Sequence, residues 1–194
     1  MNKPTEKQLL RQTLRKQRRD YVAALPEGTR ALLFLRPPAP LAALAPEGSV
    51  IGLYHAMGSE APTRAWANWF RENGRTIALP WFAGRGNAMR FREWRDPLDD
   101  SSLTAGPFRI AQPGDDAPEL TPGLVVVPLT GFTAHCDRIG QGAGHYDAWL
   151  AAHPGAKAIG LAWDCQLVES LPLEPHDRRL DAVVTPSRFY EAQD

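Results

Sequence analysis

The run Leu124-Val-Val-Val-Pro128 contains no polar side chain, and a glycine-rich loop and a short helical pattern follow it. Strands that are buried on both faces have unbroken apolar sequences, whereas strands with one exposed face alternate between apolar and polar residues. Leu124–Pro128 therefore predicts a strand in the interior of a parallel sheet, with a connection at its carboxyl end.

The segments on either side of this strand repeat the same alternation of strands and helices. Helices are predicted over 5–22, over Pro62–Glu72 and from about Tyr146. Further strands are predicted over Val50–Tyr54, Thr76–Phe82, Ala88–Trp94, Ala158–Trp163 and Ala182–Val184. Residues 95–121 show no period and are expected to be irregular. The pattern predicts an α/β fold with a mostly parallel central sheet flanked by helices, and 194 residues are expected to form one domain, 1–194.

The composition excludes several classes of protein. Apolar runs as short as Leu124–Leu129 cannot cross a bilayer, and no signal peptide is visible behind the basic first residues. The two cysteines, Cys136 and Cys165, are too few for a disulfide framework or a zinc site. We therefore expect a cytoplasmic protein with no membrane partner.

The net charge of zero conceals an uneven distribution of charge. Seven basic residues and one acid lie between Lys3 and Arg19, so 15 basic and 21 acidic residues remain elsewhere, a net charge of −6. Proteins that bind nucleic acids are more often basic over a whole face. A short basic helix on an acidic body favours a small anionic ligand, although an RNA-binding module using that helix is a second interpretation.

The helix predicted over 5–22 has an apolar stripe and a basic stripe side by side. At 100° per residue, Leu10, Leu14 and Tyr21 share one face, and Arg11 and Arg18 lie next to it. Lys7 and Arg11 are one turn apart at the edge of the buried face. The stripe is either a solvated helix face or an anion-binding surface, and helical spacing does not distinguish them.

The loop from Arg138 to Asp147 is the most informative motif. Gly140, Gly142 and Gly144 alternate between a buried strand and a helix start. Such spacing lets backbone N–H groups and a helix N-terminus face an anion. The spacing matches neither the dinucleotide fingerprint nor the P-loop, so a simple tight loop is the alternative. Arg138 before the glycines could bind phosphate, and Asp147 after them could hold a magnesium ion.

Several segments resemble the 5-formyltetrahydrofolate cyclo-ligase family. The segment from Pro128 to Asp147 is similar to the family signature of a strand ending in Pro, a Gly-Phe turn and Arg-Leu-Gly-x-Gly-x-Gly-x-Tyr-Asp. The resemblance extends over nearly the whole chain, and it includes Lys7-Gln-Leu-Leu-Arg11, Glu60-Ala-Pro-Thr63, Leu79-Pro80, Met89-Arg-Phe91 and the block from Ile159 to Thr185.

The resemblance implies a single three-layer domain of the NagB/RpiA/CoA-transferase-like type. It also implies ATP-dependent cyclisation of 5-formyltetrahydrofolate to 5,10-methenyltetrahydrofolate, with Mg²⁺ and without nucleic acid. A monomer is expected, and a dimer is the alternative. Lys7 and Arg138 are expected to be catalytic. ATP is expected to contact Lys7, Arg11, Arg138, Gly140, Gln141, Gly142, Ala143, Gly144, His145 and Tyr146. The folate is expected to contact Glu60, Tyr54, Phe132 and Tyr146. The expected magnesium ligands are Asp147 and Asp181.

Five positions depart from the family pattern, of which Ile139 in place of Leu is a minor change. Thr133 replaces an Asp, Cys136 replaces a Gly, His145 replaces an aromatic Tyr or Phe, and Gln141 often has a larger or basic counterpart. These departures leave open a second interpretation, in which the chain binds nucleotide or folate but has lost or changed its reaction.

Overall fold

The computed structural model describes residues 5–174 and 177–192. Lys3 of the basic segment and His176 of the C-terminal block lie outside the described residues. The described helices are α1 (Glu6–Ala24), α2 (Glu27–Leu32), α3 (Ala39–Ala43), α4 (Arg64–Glu72) and α5 (His145–Ala152). None of the helices in the described ranges is both long and apolar enough to cross a bilayer.

The described strands form one large sheet and two small hairpins. In chain order they are β1 (Val50–Gly52), β2 (Thr76–Trp81), β3 (Arg90–Glu93), β4 (Leu103–Ala105), β5 (Ala111–Pro113), β6 (Glu119–Leu120), β7 (Leu124–Pro128), β8 (Gly131–Phe132), β9 (Arg138–Ile139), β10 (Lys157–Leu161), β11 (Ala182–Val184) and β12 (Phe189–Glu191). The large sheet has the order β12-β11-β10-β7-β1-β2-β3-β6. The five strands from β11 to β2 in this order are parallel. Strand β12 is antiparallel to β11, β3 is antiparallel to β2, and β6 is antiparallel to β3.

Strand β7 lies inside the parallel sheet, as its apolar sequence predicts. Four of its five residues are buried, and it pairs with β1 on one side and β10 on the other. Its alternate side chains enter two different cores: Val126 packs with α4 residues, and Val125 and Val127 pack with Trp149 and Leu150 of α5. The sheet is therefore covered on both faces, which confirms the α/β fold with a mostly parallel sheet and three layers.

Helix α1 begins where the sequence places a capping residue. The Thr5 hydroxyl accepts a hydrogen bond from the Gln8 backbone N–H, and the Gln8 side chain accepts one from the Thr5 N–H. Such reciprocal bonds satisfy two of the orphan N–H groups at a helix start. The apolar stripe packs inward through Leu14 and Val22.

The prediction of an irregular segment over 95–121 is wrong in part. Strands β4 and β5 pair there as a short hairpin, and β6 adds an edge to the large sheet. The buried side chain of Gln112 connects this hairpin to the end of β2. It accepts a hydrogen bond from the Phe82 N–H and donates one to the Phe82 carbonyl oxygen. Strands of two or three residues are too short to produce a period, so tertiary pairing decides them.

Candidate active site

A cavity of about 910 Å³ lies at the carboxyl edge of the parallel strands. Its lining includes Pro80 in β2 and Pro128 at the end of β7, and Tyr54 just beyond β1. Ligands of open parallel sheets bind at this edge, where the connections that leave the strands diverge. The position of the cavity is therefore the one expected for a functional site.

The glycine loop forms one wall of the cavity. Gly142 has a φ of 107° and Gly144 has a φ of 70°, which are left-handed conformations that favour glycine. Gly144 is the N-cap of α5, and all residues from Gly140 to Asp147 line the cavity. A helix N-terminus carries partial positive charge and unpaired N–H groups, so this wall suits an anion.

Helix α1 forms the facing wall and is hydrogen-bonded to the loop. Arg11 Nε donates to the Gly140 carbonyl oxygen at 3.0 Å. Arg15 Nη2 donates to the Gln141 carbonyl oxygen at 2.8 Å, and Arg15 Nε donates to the Gln141 side-chain oxygen at 3.0 Å. The two predicted anion-binding segments are thus brought together, and the basic stripe is more than a solvated helix face.

Arg138 and Asp147, at the two ends of the loop motif, form an ion pair. Arg138 Nη2 lies 2.6 Å from Asp147 Oδ1, and only 3% of the Arg138 side chain is exposed. Asp147 Oδ1 also accepts a hydrogen bond from the Arg178 N–H at 3.1 Å. Arg138 Nε is buried without a hydrogen-bond partner among the described residues.

Lys7 is bound by two carboxylates from the C-terminal block. Its Nζ lies 2.8 Å from Glu174 Oε2 and 2.6 Å from Asp177 Oδ2. Burial alone would lower the pKa of Lys7, but hydrogen bonds and charge attraction from the two carboxylates raise it above its ordinary value. Lys7 therefore remains a cation at the cavity wall. Sequence reasoning placed Lys7 here but did not identify Glu174 or Asp177.

Glu60 lines the cavity beside the glycine loop. Its Oε2 accepts a hydrogen bond from the Met57 N–H at 2.9 Å, and its Oε1 accepts one from Gln141 Nε2 at 2.9 Å. Tyr54 and Tyr146 also line the cavity. Burial, with the Glu60 charge as a second cause, raises the pKa of both tyrosines, which therefore stay protonated.

Part of the cavity lining is apolar and aromatic. The His145 ring contacts two phenylalanine rings that also contact each other, with centroids 4.8 Å from Phe82 and 5.2 Å from Phe108. Met89 and Ile110 complete this part of the lining. Burial lowers the pKa of His145 below its ordinary value. Sequence analysis did not identify either phenylalanine as a site residue. Phe82 was expected only as the end of a strand, and Phe108 lies in the segment without a period.

Two predicted site residues lie elsewhere. Asp181 does not line the cavity: it precedes β11 at the amino edge of the sheet, where it accepts hydrogen bonds from the Ala158 N–H and from Lys157 Nζ. Phe132 is fully buried and packs against Tyr190, with ring centroids 5.3 Å apart. Neither Asp181, the predicted magnesium ligand, nor Phe132, the predicted folate contact, therefore lies with the other predicted site residues.

Thr133, one of the departures from the family pattern, also lies outside the cavity lining. Its hydroxyl donates to Asp137 Oδ2 at 3.2 Å and accepts from the Asp137 N–H at 3.3 Å. The threonine therefore closes the turn between β8 and β9 by local hydrogen bonds, and it does not contact the anion-binding wall.

The fold and the cavity define an α/β protein with a basic, glycine-rich anion site beside an aromatic pocket. The particular family follows from comparison: the chain belongs to the 5-formyltetrahydrofolate cyclo-ligase family, whose model matches residues 3–186.

Relatives with that name match over different lengths. The 5-formyltetrahydrofolate cyclo-ligase of Escherichia coli (strain K12) is 38% identical over 97 residues, which cover 47% of this chain and 53% of that protein. The chain thus spans about half the length of this relative. The protein of the same name from Mycolicibacterium smegmatis is 29% identical over 196 residues, covering 95% of this chain and 96% of that one.

Two solved structures share the fold. The 5,10-methenyltetrahydrofolate synthetase from Aquifex aeolicus has a TM-score of 0.65 and 21% identity, and the match covers 98% of this chain and 94% of that one. The 5,10-methenyltetrahydrofolate synthetase from Mycoplasma pneumoniae has a TM-score of 0.66 and 18% identity, over 92% of this chain and 98% of that one. At these identities, the likeness shows the fold.

Proposed function

We propose that the chain converts 5-formyltetrahydrofolate and ATP into 5,10-methenyltetrahydrofolate, ADP and phosphate. The observation that carries this proposal is the junction of helix α1 with the glycine loop, which forms an anion site directly beside an aromatic pocket. Family membership and the names of the relatives support it.

The polar half of the cavity is proposed to bind the ATP phosphates. The cations are Lys7, Arg11 and Arg138, and the loop from Gly140 to Gly144 supplies backbone N–H groups. Phosphoryl transfer depends mainly on positioning and on neutralising charge, so these groups match what the step requires. Arg138 is held in place by Asp147, which fixes the direction of its guanidinium.

The aromatic half is proposed to bind the folate. A carboxylate can accept two parallel hydrogen bonds from the N–H groups of an aminopyrimidine ring, as it does from a guanidinium. Glu60 is proposed to be that carboxylate, and Tyr54 and Tyr146 line the same cavity. Apolar side chains such as Phe82 and Met89 would pack on the flat pterin ring.

The reaction balances without a further reactant. The formyl oxygen attacks the γ-phosphorus, the bond from that phosphorus to ADP breaks, and ADP leaves. The N10 electron pair then attacks the formyl carbon and N10 loses its proton. The carbon–oxygen bond breaks last, and phosphate leaves with the electron pair. Arg138 and Lys7 are proposed to stabilise the charge on the transferred group.

Magnesium is proposed to accompany ATP, and the donor set allows a site for it. In ATP sites, Mg²⁺ is usually held by one or two carboxylates together with phosphate oxygens. The carboxylates of Asp147 and Asp177 both line the cavity. The described residues hold no cluster of three or more metal-ligating side chains, so the phosphates would complete the site. Magnesium would neutralise phosphate charge there.

The remaining proposals concern partners and location. We propose a cytoplasmic monomer without nucleic-acid partners, supported by the zero net charge and by an acidic body outside the first helix. Gel filtration with light scattering should give 21.4 kDa. A mass of twice that value, or RNA affinity that falls steeply with salt, would contradict these proposals.

Absorbance tests the activity, because methenyltetrahydrofolate absorbs in the near ultraviolet and 5-formyltetrahydrofolate does not. We expect an ATP-dependent rise in this band with the parent chain and at most a small fraction of it with Lys7→Ala. Lys16→Ala is the matched control, since Lys16 lies on the same helix but pairs with Asp20 in solvent. Binding of folate without turnover would favour a member of the family that has lost its reaction.

A further inference from the structure

The side chain of Gln141 connects the two halves of the cavity. Its Nε2 donates to Glu60 Oε1 at 2.9 Å, and its Oε1 accepts from Arg15 Nε at 3.0 Å. The Gln141 backbone carbonyl is also held, by Arg15 Nη2 at 2.8 Å. Gln141 therefore lies between Arg15 of helix α1 and Glu60, the carboxylate assigned to the pterin.

The orientation of this amide is fixed by its two partners. An amide oxygen only accepts and an amide nitrogen only donates, so Arg15 requires the oxygen and Glu60 requires the nitrogen. Reversing the amide would place like groups together at both contacts. Glu60 in turn has its second oxygen fixed by the Met57 N–H. Both oxygens of Glu60 are thereby oriented, one of them through the glycine loop.

We propose that Gln141 is a positioning residue that couples nucleotide binding to folate binding, and this rests on the proposed function. Phosphates bound by the loop would hold its backbone in the observed conformation. That conformation keeps the Gln141 amide against Glu60, so the carboxylate is already oriented when the pterin arrives. A ligand that reduces the cost of ordering a site strengthens the second ligand, and the effect is reciprocal.

Position 141 is one of the departures from the family pattern. The side chain of this glutamine is bonded to Arg15 and Glu60. The side chain of Gln141 therefore acts on Glu60, the carboxylate proposed to bind the pterin. Only the Gln141 backbone belongs to the wall proposed to bind phosphate.

Calorimetry tests the coupling without turnover. The dissociation constant of 5-formyltetrahydrofolate is measured with and without magnesium and the β,γ-imido analogue of ATP. We expect the analogue to strengthen folate binding about 5-fold or more in the parent chain, the lower range for coupled sites. In Gln141→Glu the ratio should approach 1. That variant keeps an acceptor for Arg15 but sets a carboxylate against Glu60.

Two further measurements separate positioning from a structural role. Gln141→Ala should lose the coupling as well, while its thermal midpoint stays near that of Gln17→Ala, an exposed glutamine on α1. Steady-state kinetics of both Gln141 variants should show a raised KM for the folate and little change in kcat. Equal folate affinity with and without the analogue in the parent chain, or unchanged coupling in Gln141→Glu, would overturn the proposal. Absence of binding of either ligand would instead contradict the proposed function.

Discussion

Arg138 and Asp147 are nine residues apart in the chain, yet the guanidinium of one lies 2.6 Å from the carboxylate of the other inside the cavity wall. The ion pair connects the two ends of the glycine loop, since Arg138 lies in β9 and Asp147 lies in the first turn of α5. Asp147 thereby orients Arg138 toward the cavity, besides any contact it makes with a ligand.

The ion pair predicts that Arg138 serves both stability and activity. Arg138→Ala should lower the free energy of unfolding by about 3 kcal/mol, because a largely buried carboxylate loses its partner. The double variant Arg138→Ala/Asp147→Ala should recover most of that stability in urea unfolding but none of the ATP-dependent absorbance. Recovery of turnover in the double variant would show that the guanidinium does not act on phosphate.

The dependence of the rate on magnesium should distinguish Asp177, which lines the cavity, from Asp181, which does not. Asp177→Asn should raise the Mg²⁺ concentration needed for half-maximal rate several-fold, because the cavity loses one oxygen ligand of full charge. Asp181→Asn should leave that concentration unchanged, since Asp181 bonds Lys157 and the Ala158 N–H at the other edge of the sheet. The measurement is the initial rate across a magnesium series, and the opposite ranking would restore Asp181 to the site.

Gly142 should not tolerate a side chain. Its φ of 107° lies outside the range of ordinary L residues, and a Cβ there would stand 3.4 Å from the Arg11 guanidinium carbon. We expect Gly142→Ala to weaken binding of the ATP analogue at least 10-fold by calorimetry. Gly155→Ala is the control, because open space surrounds that position and its φ is ordinary. Equal effects of both substitutions would argue against a backbone role.

The pH dependence of stability should report His145. Partial burial against the rings of Phe82 and Phe108 lowers the pKa of the His145 imidazole, whereas the unfolded chain keeps the ordinary value of 6.5. As pH falls below 6.5, the unfolded state takes up a proton that the native state refuses, so the free energy of unfolding declines toward the native pKa. His145→Phe keeps the ring packing and should flatten that decline in urea titrations. His135→Asn, at an exposed histidine, should leave the slope as it is.

Much of the fold follows from the sequence because its central strands are apolar and buried. Leu124–Pro128 and Ala182–Val184 are strands with the predicted bounds. Helix α1 extends from Glu6 to Ala24, two residues beyond its expected end. Helices α2 and α3 were not predicted, because helices of five or six residues beside prolines have no measurable period.

Local spacing in the sequence predicts those features of the candidate site that depend on neighbouring residues. Gly142 and Gly144 have the left-handed backbone that the motif requires, and Lys7 lies in the cavity lining. Asp177 and Phe108 could not be derived from spacing, because long-range contacts alone place them. The position of Asp181 has the same origin: it follows Asp177 by four positions in the chain, yet Asp177 lines the cavity and Asp181 lies at the amino edge of the sheet.

The contacts of Lys7 join residues that are 167 and 170 positions apart. A ribosome releases the first helix long before it has made Glu174 and Asp177, so during synthesis the cavity lacks one wall until most of the chain has emerged. The nucleotide proposed to bind here would contact both walls, so we expect it to stabilise the growing polypeptide only after that moment. Ligand-assisted folding would then come late, when the segment with Glu174 and Asp177 closes over the first turn of α1.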